Sequence, residues 1–175
     1  KKPEIDNDAI LKATDAYLKC MQKGKKGKLI VKKWTPKEDV LAGLVNCGYL
    51  LFNTAIKKYE EKDYRTALKY YNLIFDIIPL DEEDQLKRGN ITRETIYQNS
   101  FFAARKMKDN EKSKELLQKL IDLNFNDPTI YIHMSNIYLE ENNNDNALEY
   151  LSLGRDMFEE DQALVNAEIN LYIVL

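Results

Sequence analysis

Among the side chains able to do chemistry in this chain, the rarest are the most informative: one histidine, His133, and two cysteines, Cys20 and Cys47, 27 residues apart. A zinc centre needs several Cys, His or carboxylate ligands at set spacings, and a redox pair needs Cys-x-x-Cys; neither pattern is present. His133 has no Ser or Cys beside it for which it could act as a base. Cys20 and Cys47 could bridge only if the fold brought their Cα atoms within about 7 Å, which the sequence leaves open. Carboxylates are many, but Glu60, Glu61, Glu82, Glu83 and Asp84 cluster at helix ends and in polar stretches, where solvation accounts for them. The expectation is a non-enzyme with no catalytic residue, no cofactor and no metal.

Three further patterns carry less. Gly24-Lys25-Lys26-Gly27-Lys28 has the residue types of a phosphate-binding loop without its spacing, and reads as a flexible basic linker. Lys19 to Trp34 holds seven Lys and one Trp, a composition that can bind phosphate backbones and stack on bases. The whole chain is acidic with only 5 Arg, so nucleic-acid binding ranks as the least favoured function. Asn90-Ile91-Thr92 is a glycosylation sequon by pattern, in a chain with 16 Asn, and Asn90 serves equally as a helix cap.

The elements that must position these side chains are helices. The chain has 175 residues, 44% of them hydrophobic and 31% charged, with only 6 Gly and 4 Pro. That is too few turn-formers for a many-stranded β fold, and the expected class is all-α. No apolar run is expected to reach the roughly 18 residues of a membrane span. KKPEIDND contains no apolar segment of a signal peptide, and a start on Lys-Lys-Pro is what a processed or trimmed chain would show; the compartment stays open. Charge is uneven: residues 1–37 carry 11 Lys against 4 acids, and residues 138–175 carry 9 acids against one Arg.

Thr35-Pro36-Lys37-Glu38 starts the first strong helix by a capping-box pattern, and it runs to about Glu61 through Gly43 and Gly48. Its apolar positions form no single stripe, so it should be buried on more than one side. A second helix carries Ala67, Tyr71, Ile74, Phe75 and Ile78 up to Pro79, followed by a polar loop or short turn over 80–89. Helices are predicted from about Thr92 to Met107, from Ser113 to Leu123, from Pro128 to Tyr138, from Ala147 to Met157 and over 161–175. Ser113 and Ala147 are 34 residues apart; Ala67 precedes Ser113 by 46, which is 34 plus an insertion of 12 near Leu80–Ile91.

Lys62-Asp63-Tyr64-Arg65-Thr66-Ala67-Leu68 with Tyr71, Ile74 and Pro79 resembles the tetratricopeptide (TPR) repeat, as do Tyr131, Met134, Ser135 and Tyr138 followed by Ala147, Leu151 and Gly154. Lys62 and Ile74 depart from the family's Gly and Ala. The middle unit is more degenerate, with Tyr97, Ser100, Phe101, Ala104 and Ser113. The resemblance implies a right-handed superhelical array of antiparallel helix pairs, an α-solenoid of about three repeats plus flanking helices. The units would be about 48–81, 94–127 and 128–161, within a repeat region of 35–160. Residues 1–34 would form an N-terminal helix and basic linker, a degenerate preceding repeat in which Ala13, Tyr17 and Cys20 match a second helix. Residues 161–175 would be the unpaired first helix of a further repeat.

Helix packing within repeats is assigned to Ala67, Tyr71, Ser113, Leu117, Ala147, Leu151 and Gly154, where small residues let backbones approach. The family's first helices line a concave groove that binds peptides or helices of partner proteins. By register, that groove here is Phe52, Ile56 and Tyr59; Gln98, Phe102 and Arg105; and Ile132, Asn136 and Leu139. The family's carboxylate-clamping residues are mostly absent: Phe52 and Ile56 replace Lys and Asn, Thr129 and His133 replace the basic pair, and only Asn99 matches. The leading expectation is a non-catalytic protein-interaction scaffold. The alternative is a self-assembling module that forms homodimers through Leu164, Ala167, Leu171 and Val174 of its last helix.

Overall fold

The computed structural model describes residues 8–23, 29 and 36–174. Among them are nine α-helices: α1 (Ala9–Cys20), α2 (Lys37–Glu60), α3 (Tyr64–Ile77), α4 (Gln85–Arg88), α5 (Arg93–Lys106), α6 (Asn110–Asp122), α7 (Thr129–Glu140), α8 (Asn144–Met157) and α9 (Gln162–Val174). One 3₁₀ turn, Ile78–Leu80, follows α3, and the described residues hold no strand beyond a lone bridge between Lys23 and Leu29. The all-α expectation is met. The basic linker 24–28, the Thr35 cap and most of the Lys19–Trp34 segment lie outside the described residues. Contacts divide the chain into two compact units, Lys1–Ile96 and Tyr97–Leu175.

The first unit is built round α2. Its helix α1 packs on α2, α3 packs along it, and α4 touches it from the third side. Val40, Leu44, Val45, Cys47, Leu51 and Ala55 are buried, positions that wind round the helix instead of forming one stripe. The 24 residues of α2, with a mean hydropathy of 1.3 over their most apolar window, are long and apolar enough to cross a membrane by length and composition, which corrects the expectation that no run is. Three helices use much of that apolar surface here, and the part left open holds Asn46 and Asn53 together with Leu50 and Ile56.

Both glycines of α2 are contact points. A Cβ on Gly43 would collide with the Tyr17 ring of α1, and one on Gly48 would lie 2.8 Å from Leu86 Cδ2. The close approach each allows offsets the cost of about 1 kcal/mol that glycine imposes on a helix. Within 80–89, read from sequence as a polar loop or short turn, α4 forms one helical turn that buries Leu86 completely while Asp81 Oδ2 accepts from the Leu86 backbone N–H at 2.7 Å.

The second unit stacks α6 on α7, α7 on α8, and α9 on both α7 and α8. Its core comprises Phe101, Leu116, Leu117, Leu120, Ile130, Tyr131, Met134, Ile137, Leu151, Leu164 and Leu171, with Ala104 and Ala147 at the close contacts. Gly154 is where α8 meets its neighbours, since a Cβ there would sit 2.7 Å from Tyr131 Cβ and 2.9 Å from Leu164 Cδ2. Fully buried aliphatic side chains such as Leu117 and Leu151 contribute about 1.5–3 kcal/mol each.

One local device recurs along the chain. Lys62, Lys108 and Asn142 end α2, α5 and α7 with φ of 64°, 59° and 58°, in the left-handed region. The residue after each closes the helix, Asp63 N–H on Lys58 O at 2.9 Å, Asp109 N–H on Ala104 O at 3.1 Å and Asn143 N–H on Tyr138 O at 2.9 Å. The same residue then caps the next helix. Asp63, Asp109 and Asn143 accept from the backbone N–H of Thr66, Lys112 and Asn146 at 3.3, 3.0 and 3.2 Å. Asn90 and Asn124, also left-handed, stand 34 residues apart and end α4 and α6.

Candidate functional site

The seven positions assigned to packing are all buried: Ala67, Tyr71, Ser113, Leu117, Ala147, Leu151 and Gly154. Burial pushes the Tyr71 phenol up to about 12. Ser113 satisfies its hydroxyl by donating to Asp109 O at 2.7 Å, which lets a polar residue stand where the family has Ala.

Phe52, Ile56 and Tyr59 belong to the first unit. Phe52 lies edge-on to Tyr71, with ring centroids 5.9 Å apart, and is half-buried against the core. Tyr59 is edge-on to Tyr64 at 5.3 Å, and Ile56 is exposed.

The other six groove positions belong to the second unit and form its most structured surface. They lie on α5 and α7, and three contacts tie α5 to α7 and to the turn that precedes it. At one end the Gln98 amide donates to Asp127 Oδ2 at 3.4 Å. In the middle the His133 ring lies 5.1 Å from Phe101 and 6.4 Å, edge-on, from Phe102. At the other end the Arg105 guanidinium grips both oxygens of Glu140 at 2.6 and 3.0 Å, and donates to Asn110 Oδ1 at 2.9 Å.

Phe101 and Phe102 are neighbours in sequence with opposite fates. Phe101 is 2% exposed and Phe102 40% exposed. Burial depresses the His133 pKa below its ordinary value, with nearby Asp127 opposing and Arg105 adding to the effect. The bond to Glu140 raises Arg105 and holds Glu140 below its ordinary value. Arg105 is thus a strut of α5 on α7, and Gln98 is tied in the same way. Phe102, Ile132, Asn136 and Leu139 remain as the open part of the face, Asn136 exposed, Ile132 and Leu139 half-buried. The ring partners of His133 are phenylalanines.

A parallel set of contacts joins the outer helices of this unit. Tyr150 donates to Gln118 Oε1 at 3.1 Å, and Tyr138 stacks on Tyr150 at 5.5 Å. Lys114 bridges Glu111 and Glu141 at 2.7 and 2.9 Å while lying over the Tyr138 ring.

One side-chain expectation changes, and one question the sequence leaves open is answered. Leu164 and Leu171 of α9, with half-buried Ala167, lie in the core of the second unit, so three of the four residues of the expected interface stripe are covered within the chain. The exposed apolar residues of α9 are instead Ile169, Tyr172 and Ile173, at 52%, 63% and 76%. Cys20 and Cys47 are both free thiols, Cys47 buried. Among the described residues no cluster of three His, Cys, Asp or Glu could hold a metal ion.

Sequence reasoning missed a cleft between α7 and α9, of about 340 Å³, lined in part by Ser135, Asn136, Leu139 and Asn170. Asn136 and Leu139 of its lining belong to the groove read from the sequence, whereas Asn170 on α9 carried no signal there. No family model and no curated protein matches the chain.

Proposed function

We propose that this chain is a non-catalytic helical-repeat scaffold of the tetratricopeptide type, which holds a peptide or helix of a partner protein against its first-helix faces. In this reading the helix pairs form a right-handed superhelical array, and α5 and α7 present adjoining parts of its concave groove. The observation that carries it is Phe102: a 40% exposed phenylalanine on a face otherwise locked by the Gln98–Asp127 and Arg105–Glu140 contacts. A rigid platform with an open aromatic anchor is the arrangement that concentrates binding energy in a few residues. The 34-residue spacing of the left-handed helix ends Lys108 and Asn142 supports the repeat reading independently of residue type.

The test is selection of binding peptides from a random display library against the full chain, then against Phe102→Glu. A loss of at least tenfold in affinity, about 1.4 kcal/mol, is expected for peptides that use the face. Peptides that bind both forms equally would refute the assignment.

A second reading, self-assembly through α9, is favoured by the exposure of Ile169, Tyr172 and Ile173. Sedimentation of wild type and Ile173→Glu tests it; a strict monomer at high concentration sinks it.

A further inference from the structure

The outer face of α8, within the second unit, is acidic without a matching cation. Asp145, Glu149 and Asp156 recur at i, i+4 and i+11, which puts them on one stripe of the helix, and all three are exposed. Exposed Glu159 and Glu160 carry the same sign into the turn that follows. Arg155 is the one cation of residues 144–174, and it is held elsewhere, 3.6 Å from Glu168 Oε2 and donating to Glu159 O at 2.8 Å. On the neighbouring helices exposed acids do meet cations: Glu115 meets Lys112, Glu111 and Glu141 share Lys114, and Glu140 meets Arg105.

The helix gains nothing from this placement. Asp156 stands in the last turn of α8, and Glu159 and Glu160 lie just past its end, where the macrodipole disfavours negative charge. Beside the acidic stripe, Leu153 and Met157 are 42% and 52% exposed at i and i+4, a short apolar row between carboxylates and Tyr150. Tyr150 bounds the row on the α6 side, where its hydroxyl donates to Gln118 Oε1.

We propose that this face docks a cationic amphipathic helix of a partner protein, its Lys or Arg side chains against the carboxylates and its aliphatic residues against Leu153 and Met157. Five exposed carboxylates attract and orient a basic segment, and they repel nucleic acid or an anionic lipid surface. Apolar residues spaced at i and i+4 offer a ridge that a second helix can pack beside, and methionine adapts its shape to varied aliphatic partners. The inference is independent of the peptide-groove reading. In that reading first helices line the groove, and α8 is a second helix.

The probe is a capped peptide of about 15 Leu and Lys residues patterned as an amphipathic helix. It is titrated into the isotope-labelled full chain, and backbone amide NMR signals of residues 145–160 are followed. Two controls keep the pattern: one carries Glu for Lys, the other Ser for Leu. Saturable shifts over 145–160 are expected with the Leu/Lys peptide alone. Affinity should fall about tenfold or more in Met157→Ser, in Asp156→Asn combined with Glu160→Gln, and on raising salt from ~0.05 to ~0.5 M. All three substituted positions are exposed, so the core is untouched.

Absence of saturation, equal binding of the Lys/Ser peptide, or undiminished binding to either variant would overturn the proposal. So would shifts of the same amides with protein concentration alone, which would make a second copy the occupant. Loss of the probe in Phe102→Glu would also overturn it, by placing the peptide on the α5–α7 face. Failure at α8 with Phe102-dependent peptides still bound removes this face and leaves the scaffold reading standing; binding at α8 without such peptides does the reverse.

Discussion

Arg105 and Glu140, 35 residues apart, meet fork to fork across α5 and α7, with Nη2–Oε1 at 2.6 Å and Nη1–Oε2 at 3.0 Å. The pair fixes the register of one helix on the other at the end of the candidate face, while the Phe101–His133 contact fixes it in the middle. Both partners remain partly open to water, so the pair should be worth far less than its geometry suggests. A double-mutant cycle on Arg105→Ala and Glu140→Ala should give a coupling of about 0.5–1 kcal/mol that shrinks in high salt. A coupling of zero at low salt would show that packing alone sets the register.

Gly154→Ala decides between two opposing effects. Helix propensity favours alanine by about 1 kcal/mol, whereas a methyl placed 2.7 Å from Tyr131 Cβ and 2.9 Å from Leu164 Cδ2 must displace both elements. Overpacking of that kind costs about 1–3 kcal/mol, so the net change should be destabilising, read as a lower denaturant midpoint with an unchanged slope. Ala147→Leu, at a completely buried position, should lose about 1–3 kcal/mol for the same reason.

The helix ends give stabilising variants. Lys62 and Lys108 pay the left-handed penalty of a side-chain-bearing residue with no turn-forming side chain to offset it. Glycine removes that penalty and adds unfolded-state entropy, leaving a net gain of about 0.5–1 kcal/mol for Lys62→Gly and Lys108→Gly. Asn142→Gly should gain less, because asparagine tolerates the conformation better. Chemical denaturation of the three single variants checks the order.

His133 makes stability depend on pH. Its native pKa lies below the ordinary value of 6.5, so the unfolded chain binds the proton more readily than the folded one. The contribution is fully present above 6.5 and is lost as the pH falls from there towards the lowered native value. Glu140, also depressed, adds a separate loss below its ordinary 4.5. Denaturation between pH 7.5 and about 5 should show a slope that His133→Gln abolishes; the same slope in the variant would assign it to other groups.

How much of this was legible beforehand follows from what local pattern records. The helices from α5 to α9 fall close to their predicted bounds because caps at Asp109, Asn143 and Asp161 and apolar spacing of three and four are properties of neighbouring residues. The small positions Ala67, Ala147 and Gly154 were legible for a similar reason, since only close backbone approach calls for them between large residues. The 34-residue interval placed the turns, though not their backbone state: Lys62 read only as a departure from glycine, and it still adopts the left-handed conformation.

Sequence by itself therefore determined the helical class, the breaks between the helices from α5 to α9 and most of the residues that must be buried somewhere. Tertiary structure alone decided what covers them. Leu86 looked like part of a polar loop until α2 offered it the space beside Gly48. The Leu164 and Leu171 stripe looked like an interface until α7 and α8 filled it, leaving Ile169 and Tyr172 outside. Adjacent Phe101 and Phe102 were equivalent by composition, and the placement of α7 buried one and opened the other. The physical reason is common to all three: helical periodicity fixes which residues share a face, whereas burial depends on neighbours that lie tens of residues away and come close only in the folded chain.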